Sequence, residues 1–365
     1  MHVVTAGVPA CRESALVEAM AFRNLAPDVS FASSNRMRLR IVRREVAASL
    51  SAINPDVTLV GNYQPLLWPS ILRTLEKPYC LFAHGGDVAA LLRTGFVWRR
   101  TRARQLFASA ARVLCNSSYS AGLVQRLSRS EFARTCVVGC GTDLPSHEVS
   151  SARARQLLRL NLSPEVPVIV TVARLVPHKG IDTTLRALSI LASASQNFHH
   201  LIVGDGQCGE ALKDLSVALG IADRVTFLGR VSDEVKLLAY RASDLFVLTP
   251  RIGSHGAVEG FGIVFLEANA HGLAAIGTDV GGIPDAIEDG VNGLLVKPDS
   301  PHLLSDAIAS LLVSPSRRAE MAQRGTERVR TTFNWSAIAA RIESELTEVV
   351  ADSHQSGTQT PVLYA

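Results

Sequence analysis

Apolar residues fall along this chain in two alternating patterns. Short uninterrupted runs, "HVVTAG" (2–7), "VTLVGN" (57–62), "YCLFAHG" (79–85) and "RVLCNSS" (112–118), end in Gly, Asn or Ser. Such runs predict strands of a parallel sheet that is covered on both faces. Between them, Leu39, Val42, Val46, Leu50 and Ile53 recur at helical spacing within residues 36–53, and residues 120–128 form a shorter segment of the same kind. The polar, proline-ended stretch 146–167 breaks the rhythm and predicts a domain junction. The alternation then restarts with strands at 168–174, 199–206, 225–229, 245–250, 274–278 and 293–297. Helices are predicted near 181–194, 210–219, 233–242, 262–272 and 283–288, with a further one over "SPHLLSDAIASLL". Ile338, Ile342, Leu346 and Val350 line one face of an amphipathic helix within 331–350, and the polar end after it predicts disorder. Both halves thus have βαβ character. The expected fold class is α/β: two Rossmann-like, doubly wound domains facing each other across a ligand-binding cleft.

The length of 365 residues suits two such domains. With 47% hydrophobic and 19% charged residues, the composition is that of a soluble globular protein, and no run reaches the ~20 apolar residues of a membrane span. The opening "MHVVTAGVPACRES" has no basic stretch leading into a long apolar one, so no secretory leader is expected. The six cysteines form no C-x-x-C pair and suggest reduced thiols in a cytoplasmic protein. Charge is divided unevenly. Residues 1–150 carry 18 Lys+Arg against 10 Asp+Glu, leaving 19 against 23 for residues 151–365. A basic first half suits an anionic ligand or membrane surface, or is a well-solvated face.

Chemistry concentrates in the second half. In "EGFGIVFLEANAHG" (259–272), Glu259 precedes a glycine-opened helix start and Glu267 lies just over a turn inside the helix. Free amides at a helix start attract anions, and the Gly-Phe-Gly backbone admits a ligand closely. The spacing suits a charged centre flanked by hydroxyls, as in a nucleotide sugar; two surface glutamates bracketing a core helix would look the same. In "TVARLVPHKG" (171–180), Arg174 and Lys179 flank a strand-end turn, where α/β folds bind ligands and where the two cations could neutralise a diphosphate. A single basic pair in a surface turn is also common. "VGDGQ" (203–207) marks another strand end.

Taken together and in order, "VARLVPHKG", "IVGDG", "VTFLGRVSDEVKLLAYRASDLFVLTP", "EGFGIVFLEANAHG" and "GTDVGGIPDAIEDGVNGLLVKPDSPHLLSDAI" resemble family 4 glycosyltransferases of GT-B architecture, densely from about residue 166 to 345. The resemblance implies a first domain over 1–160 that binds the acceptor, a donor domain over 161–335, a crossover helix over 336–350 that returns to the first domain, and a disordered tail over 351–365. It implies retaining transfer of a hexose-type sugar from a nucleotide-diphosphate sugar, with a UDP sugar favoured. Arg174 and Lys179 would bind the diphosphate, Glu267 the ribose and Glu259 the transferred sugar. Gly204, Arg230 and Val231 would line the diphosphate and base pocket, and the backbone of Phe261, Gly262 and Ile263 would meet phosphate and sugar. His84, in "AHGGD", together with Glu259, Lys179 and Arg174 would make up the catalytic set. Gly7, Asp87 and Ser117 would lie on the acceptor side. Neither a cofactor nor a metal is expected, because the cations and helix tip do the neutralising. The departure from the family is at the start, where "TAGVPACRES" replaces its usual Gly-Gly loop.

The alternatives are a GT-B nucleotide-sugar epimerase and a non-catalytic sugar-nucleotide binder. The first lacks reason to carry the paired glutamates in this context, and the second would have lost Glu259, Lys179 or His84. The expected partners are a nucleotide sugar and a carbohydrate, lipid-linked or small-molecule acceptor. Arginines crowd 35–45 and 93–105, where they read equally as a solvated face or as peripheral contact with an anionic membrane at its cytoplasmic side. No nucleic-acid module is evident.

Overall fold

The computed structural model describes residues 2–6, 21–26, 36–61, 77–93, 95–129, 134–145 and 149–355. In the first domain, strands β1 (His2–Ala6) and β2 (Ala21–Ala26) pair in parallel, and helix α1 (Arg36–Ile53) packs near them. Strands β3 (Thr58–Val60), β4 (Tyr79–Ala83), β5 (Arg112–Cys115) and β6 (Thr135–Val137) form a four-stranded parallel sheet in that order. Helices α2 (Gly86–Arg93), α3 (Val97–Ser109) and α4 (Ser118–Ser128) connect them. Leu81, Ala83, Val113 and Cys115 from the strands meet Val88, Phe107 and Val124 from the helices in one core.

The second domain begins with helix α5 (Ser151–Leu157), inside the stretch expected to be a junction. Ala154 is fully buried in this domain's core, and Arg155 binds Asp244 at 2.8 Å and the carbonyl of Ala242 at 3.0 Å. The boundary therefore lies before residue 151, not at 160. With a single buried apolar residue, the helix has no periodicity to read. Strands β7 (Val168–Val172), β8 (His199–Val203), β9 (Val225–Gly229), β10 (Leu245–Val247), β11 (Ala274–Thr278) and β12 (Gly293–Val296) form one parallel sheet, ordered β12-β11-β10-β7-β8-β9. Every residue of β7, β8, β10 and β11 is buried, which is why these strands are mostly apolar. Helices α6 (Ile181–Ser193), α7 (Gly209–Ala218), α8 (Asp233–Arg241), α9 (Ile263–Ala270), the one-turn α10 (Ile283–Ala286) and α11 (Pro301–Leu312) fall where the sequence predicts them.

Beyond α11 the expectation changes. Helix α12 (Pro315–Thr331) was hidden by its arginines and glutamates, because only Met321, Ala322, Gly325 and Val329 face inward. It ends before Asn334, whose side chain accepts the amide of Ala337 at 2.8 Å and starts a separate helix, α13 (Trp335–Gln355). That helix crosses back to the first domain. Its Glu345 and Glu348 each lie 3.0 Å from the Arg112 guanidinium on β5, and its Arg341 donates to the carbonyl of Val138 at 3.2 Å. Residues 351–355, expected in the disordered tail, belong to this helix. Among the described residues no helix is long and apolar enough to cross a membrane.

Candidate active site

The strand order fixes where a ligand can lie. From β7 the chain winds outward through β8 to β9, then returns to β10 on the other side of β7. The loops leaving β7 and β10 therefore flank the point where the strand order reverses, at the carboxyl ends of the strands, where open α/β sheets bind ligands. The first loop carries Arg174 and Lys179; the second leads to Glu259 and the start of α9.

The β7 loop is held largely through its backbone. Leu175 N donates to Asp205 O at 2.9 Å, and Gly204 N donates to Gly229 O at 2.8 Å, so the exits of β7, β8 and β9 are stitched together. A 3₁₀ turn at Pro177–Lys179 then ends at Gly180, which has φ 68°. A β-carbon on Gly180 would stand 1.8 Å from the carbonyl oxygen of Thr249. Only glycine permits this approach of the β7 and β10 loops. Thr249 Oγ1 donates to Gly180 O at 2.7 Å and closes the junction. The β10 loop is tied back further by Arg251, which pairs with Asp182 and, at 2.5 Å, with Asp299.

This geometry brings Lys179 to Glu259. The Lys179 ammonium donates to Glu259 Oε2, and both side chains are largely buried. His178 stands beside them: burial first, then the charge of Lys179, hold its imidazole below the ordinary range, and the nearby Arg174 adds to the effect. Arg174 itself is exposed, and no hydrogen bond or ion pair engages its guanidinium among the described residues. Gly262 is the left-handed N-cap of α9, and the amides of Ile263 and Val264 meet no acceptor among the described residues. Amides so placed and the helix dipole attract negative charge, and they lie on the segment that follows Glu259. The Phe261 side chain is buried edge-on against Phe333, so only its backbone can face a ligand.

Glu267 lies farther along α9. Tyr240 Oη donates to its Oε2 at 2.8 Å, and Lys236 Nζ stands 3.4 Å from Oε1. Arg230 is exposed at the end of β9, the edge strand of the sheet, and Val231 beside it is half-buried. No hydrogen bond or ion pair among the described residues links either to Lys179 or Glu259.

The first domain closes on the same spot. A β-carbon on Gly260 would lie 2.5 Å from His84 O, so the His84 backbone rests against the residue that follows Glu259. The exposed His84 ring stacks on Phe82, and its Nε2 lies 2.8 Å from the carbonyl of Gly61. A carbonyl oxygen only accepts, so Nε2 is the donor in that contact. Two residues expected on the acceptor side have other duties. Asp87 accepts the amides of His84 at 3.1 Å and Val88 at 2.8 Å, so it shapes the His84 turn. Ser117 is fully buried, donates to Gly260 O at 2.6 Å and accepts Ser120 N at 3.1 Å, so it joins the domains. Gly7 lies outside the described residues. Asp285, Tyr240, Lys236 and His178 were missed by sequence reasoning. The first reaches across the domains, with its carboxylate 2.8 Å from Ser118 Oγ and 3.1 Å from Ser118 N. The "GGIPD" turn was its one signal.

Two parallel α/β domains that meet at their strand ends and share a returning C-terminal helix define a GT-B fold. A TM-score of 0.72 to sucrose-phosphate synthase from Thermosynechococcus elongatus, at 22% identity over 92% of this chain and 89% of that one, agrees. The family pattern described as glycosyl transferases group 1 matches residues 155–328. Over 333 residues the chain is 31% identical to the GDP-mannose-dependent alpha-(1-6)-phosphatidylinositol monomannoside mannosyltransferase of Mycolicibacterium smegmatis, covering 84% of each. The protein of that name from Mycobacterium tuberculosis is 36% identical over 193 residues, 53% of this chain and 50% of the other. The chain spans about half the length of the first curated relatives it matches. It belongs to the group 1 glycosyl transferases.

Proposed function

We propose that this chain transfers a hexose from a nucleoside-diphosphate donor to an acceptor hydroxyl with retention of anomeric configuration. The observation that carries this reading is the Lys179–Glu259 pair beside the open amides of α9, with His84 of the other domain against Gly260. Lys179, Arg174 and the helix tip would stabilise the departing diphosphate without a metal. Glu259 would orient hydroxyls of the sugar, and Glu267 those of the ribose. Gly204, Arg230 and Val231 would line the diphosphate and base. The bond from the anomeric carbon to phosphate oxygen breaks as the bond to the acceptor oxygen forms. The leaving phosphate oxygen takes the acceptor's proton on the same face. His84 would hold sugar and phosphate from the opposite domain.

A UDP sugar is the sequence-based expectation, but both named mannosyltransferases are GDP-mannose-dependent, so GDP-mannose is placed first. Their names also favour an acceptor borne on a lipid. Exposed Phe96, Val97 and Trp98 at the start of α3, with Arg99 over both rings, suit peripheral contact with an anionic bilayer. None of the relatives described above is an epimerase, and that alternative is set aside.

Calorimetric titration tests the reading. GDP-mannose should bind more tightly than UDP-glucose, and Lys179→Ala should weaken it ~10- to 100-fold, the worth of a charge-assisted contact. His84→Ala should leave that affinity nearly unchanged while slowing mannose transfer to phosphatidylinositol monomannoside. Unchanged donor affinity in Lys179→Ala would remove the diphosphate assignment. Tighter binding of UDP-glucose would return the donor to the uridine class.

A further inference from the structure

The Glu267 carboxylate is held in a way that its assignment to a ribose does not by itself require. Lys236 and Tyr240 sit four residues apart on α8 and so share one face of that helix. Both point at Glu267. Tyr240 is fully buried, with its ring stacked on His271 at 4.9 Å and tilted against Phe246 at 6.1 Å. Its hydroxyl can reach little else, and it donates to Oε2 at 2.8 Å. Burial first, then the Glu267 charge, keep that hydroxyl protonated far above neutral pH. Lys236 approaches Oε1 at 3.4 Å and is steadied from its other side by Asp233 at 3.3 Å. His271 Nδ1 lies 2.8 Å from the Glu267 carbonyl, so backbone and side chain are gripped together.

Each carboxylate oxygen offers about two acceptor directions. Tyr240 uses one on Oε2 and Lys236 one on Oε1. Among the described residues one direction then remains on each oxygen, and the side chain keeps 22% of its surface exposed. That is the acceptor pattern for two neighbouring hydroxyls on one ring, each donating to its own oxygen. A freely rotating glutamate would offer the same atoms at the cost of ordering them on binding.

We propose that Tyr240 and Lys236 are positioning residues that present Glu267 as a two-point acceptor for a vicinal diol, and thereby set the preference of the nucleotide site for ribonucleotides. The proposal rests on reading Glu267 as the ribose-binding group. The full-length chain and its Tyr240→Phe, Lys236→Met and Glu267→Gln variants are titrated with GDP and with 2′,3′-dideoxy-GDP; UDP and its dideoxy form are run in parallel. The wild type should prefer the ribonucleotide by about tenfold or more, the worth of two hydrogen bonds to a charged group. Tyr240→Phe and Lys236→Met should each cut that preference by about threefold or more while leaving the dideoxynucleotide affinity in place. A merely structural loss would weaken both nucleotides alike and leave the ratio standing. Should Tyr240→Phe fail to fold, Lys236→Met, partly exposed, carries the test alone. A wild-type ratio in the folded variants overturns the proposal. If that happens while Glu267→Gln loses the preference, only the positioning role falls. If Glu267→Gln keeps the preference, the ribose assignment falls with it.

Discussion

Gly180 shows how much of the site hangs on single atoms. Replacing it with alanine forces φ 68° on a residue with a side chain and drives a β-carbon into the Thr249 carbonyl. The left-handed conformation costs about 1–2 kcal/mol and a forced core contact about 1–3 more. Gly180→Ala should therefore lower stability by ~2–5 kcal/mol in denaturant titrations and weaken donor binding, because Lys179 is the preceding residue. At this scale the sequence was partly legible. Lys179 and Glu259 are candidates from their local motifs, the cation at a strand-end turn and the carboxylate before a glycine-opened helix. That they pair across 80 positions is not written in either motif. Asp87 and Ser117 are ambiguous for a related reason. A short polar side chain beside a strand end serves a backbone amide or carbonyl as readily as a ligand, and the nearest partner decides.

At the scale of elements, legibility followed burial. Strands covered on both faces announce themselves as apolar runs, and amphipathic helices by their stripe. Helices α5 and α12 bury too few apolar residues to be seen. The returning helix α13 was expected, yet its length and grip come from charge. Arg112 on β5 lies 3.0 Å from Glu345 through Nε, an ion pair without an aligned hydrogen bond, and 3.0 Å from Glu348 through Nη2. The Cys136 thiol also donates to Glu345, at 2.9 Å, and burial pushes that thiol up to about 12. Arg112→Ala leaves Glu345, mostly covered, against a half-buried thiol with no counter-charge. A loss of ~1–3 kcal/mol is expected, the penalty of a partly buried unpaired charge. The control is the double variant Arg112→Ala/Glu345→Ala, which should recover part of the loss when unfolding is followed by circular dichroism.

For the whole molecule, the contact between domains decides whether a donor site becomes a reaction site. Asp285 clasps the start of α4 through Ser118, Ser117 reaches Gly260 O, and Arg93 donates to Gly256 O at 2.6 Å. Asp285→Ala removes the acceptor from one of these and touches no proposed donor contact. The domains should separate more often, seen as a larger radius of gyration in small-angle scattering. Transfer should slow by ~10- to 100-fold at unchanged donor affinity, as misplacement of reacting groups by about an ångström does. An unchanged radius and rate would show that the other contacts suffice. By itself the sequence determined the alternation of strands and helices, the presence of two βαβ domains and the chemical kinds gathered at strand ends, because burial and backbone freedom are written locally in residue type. The tertiary structure alone decided that Lys179 meets Glu259, that Tyr240 and Lys236 take hold of Glu267, and that His84 arrives beside Gly260. Those meetings depend on strand order and on the closing of one domain against the other, and energies of contact between distant residues leave no local pattern to read.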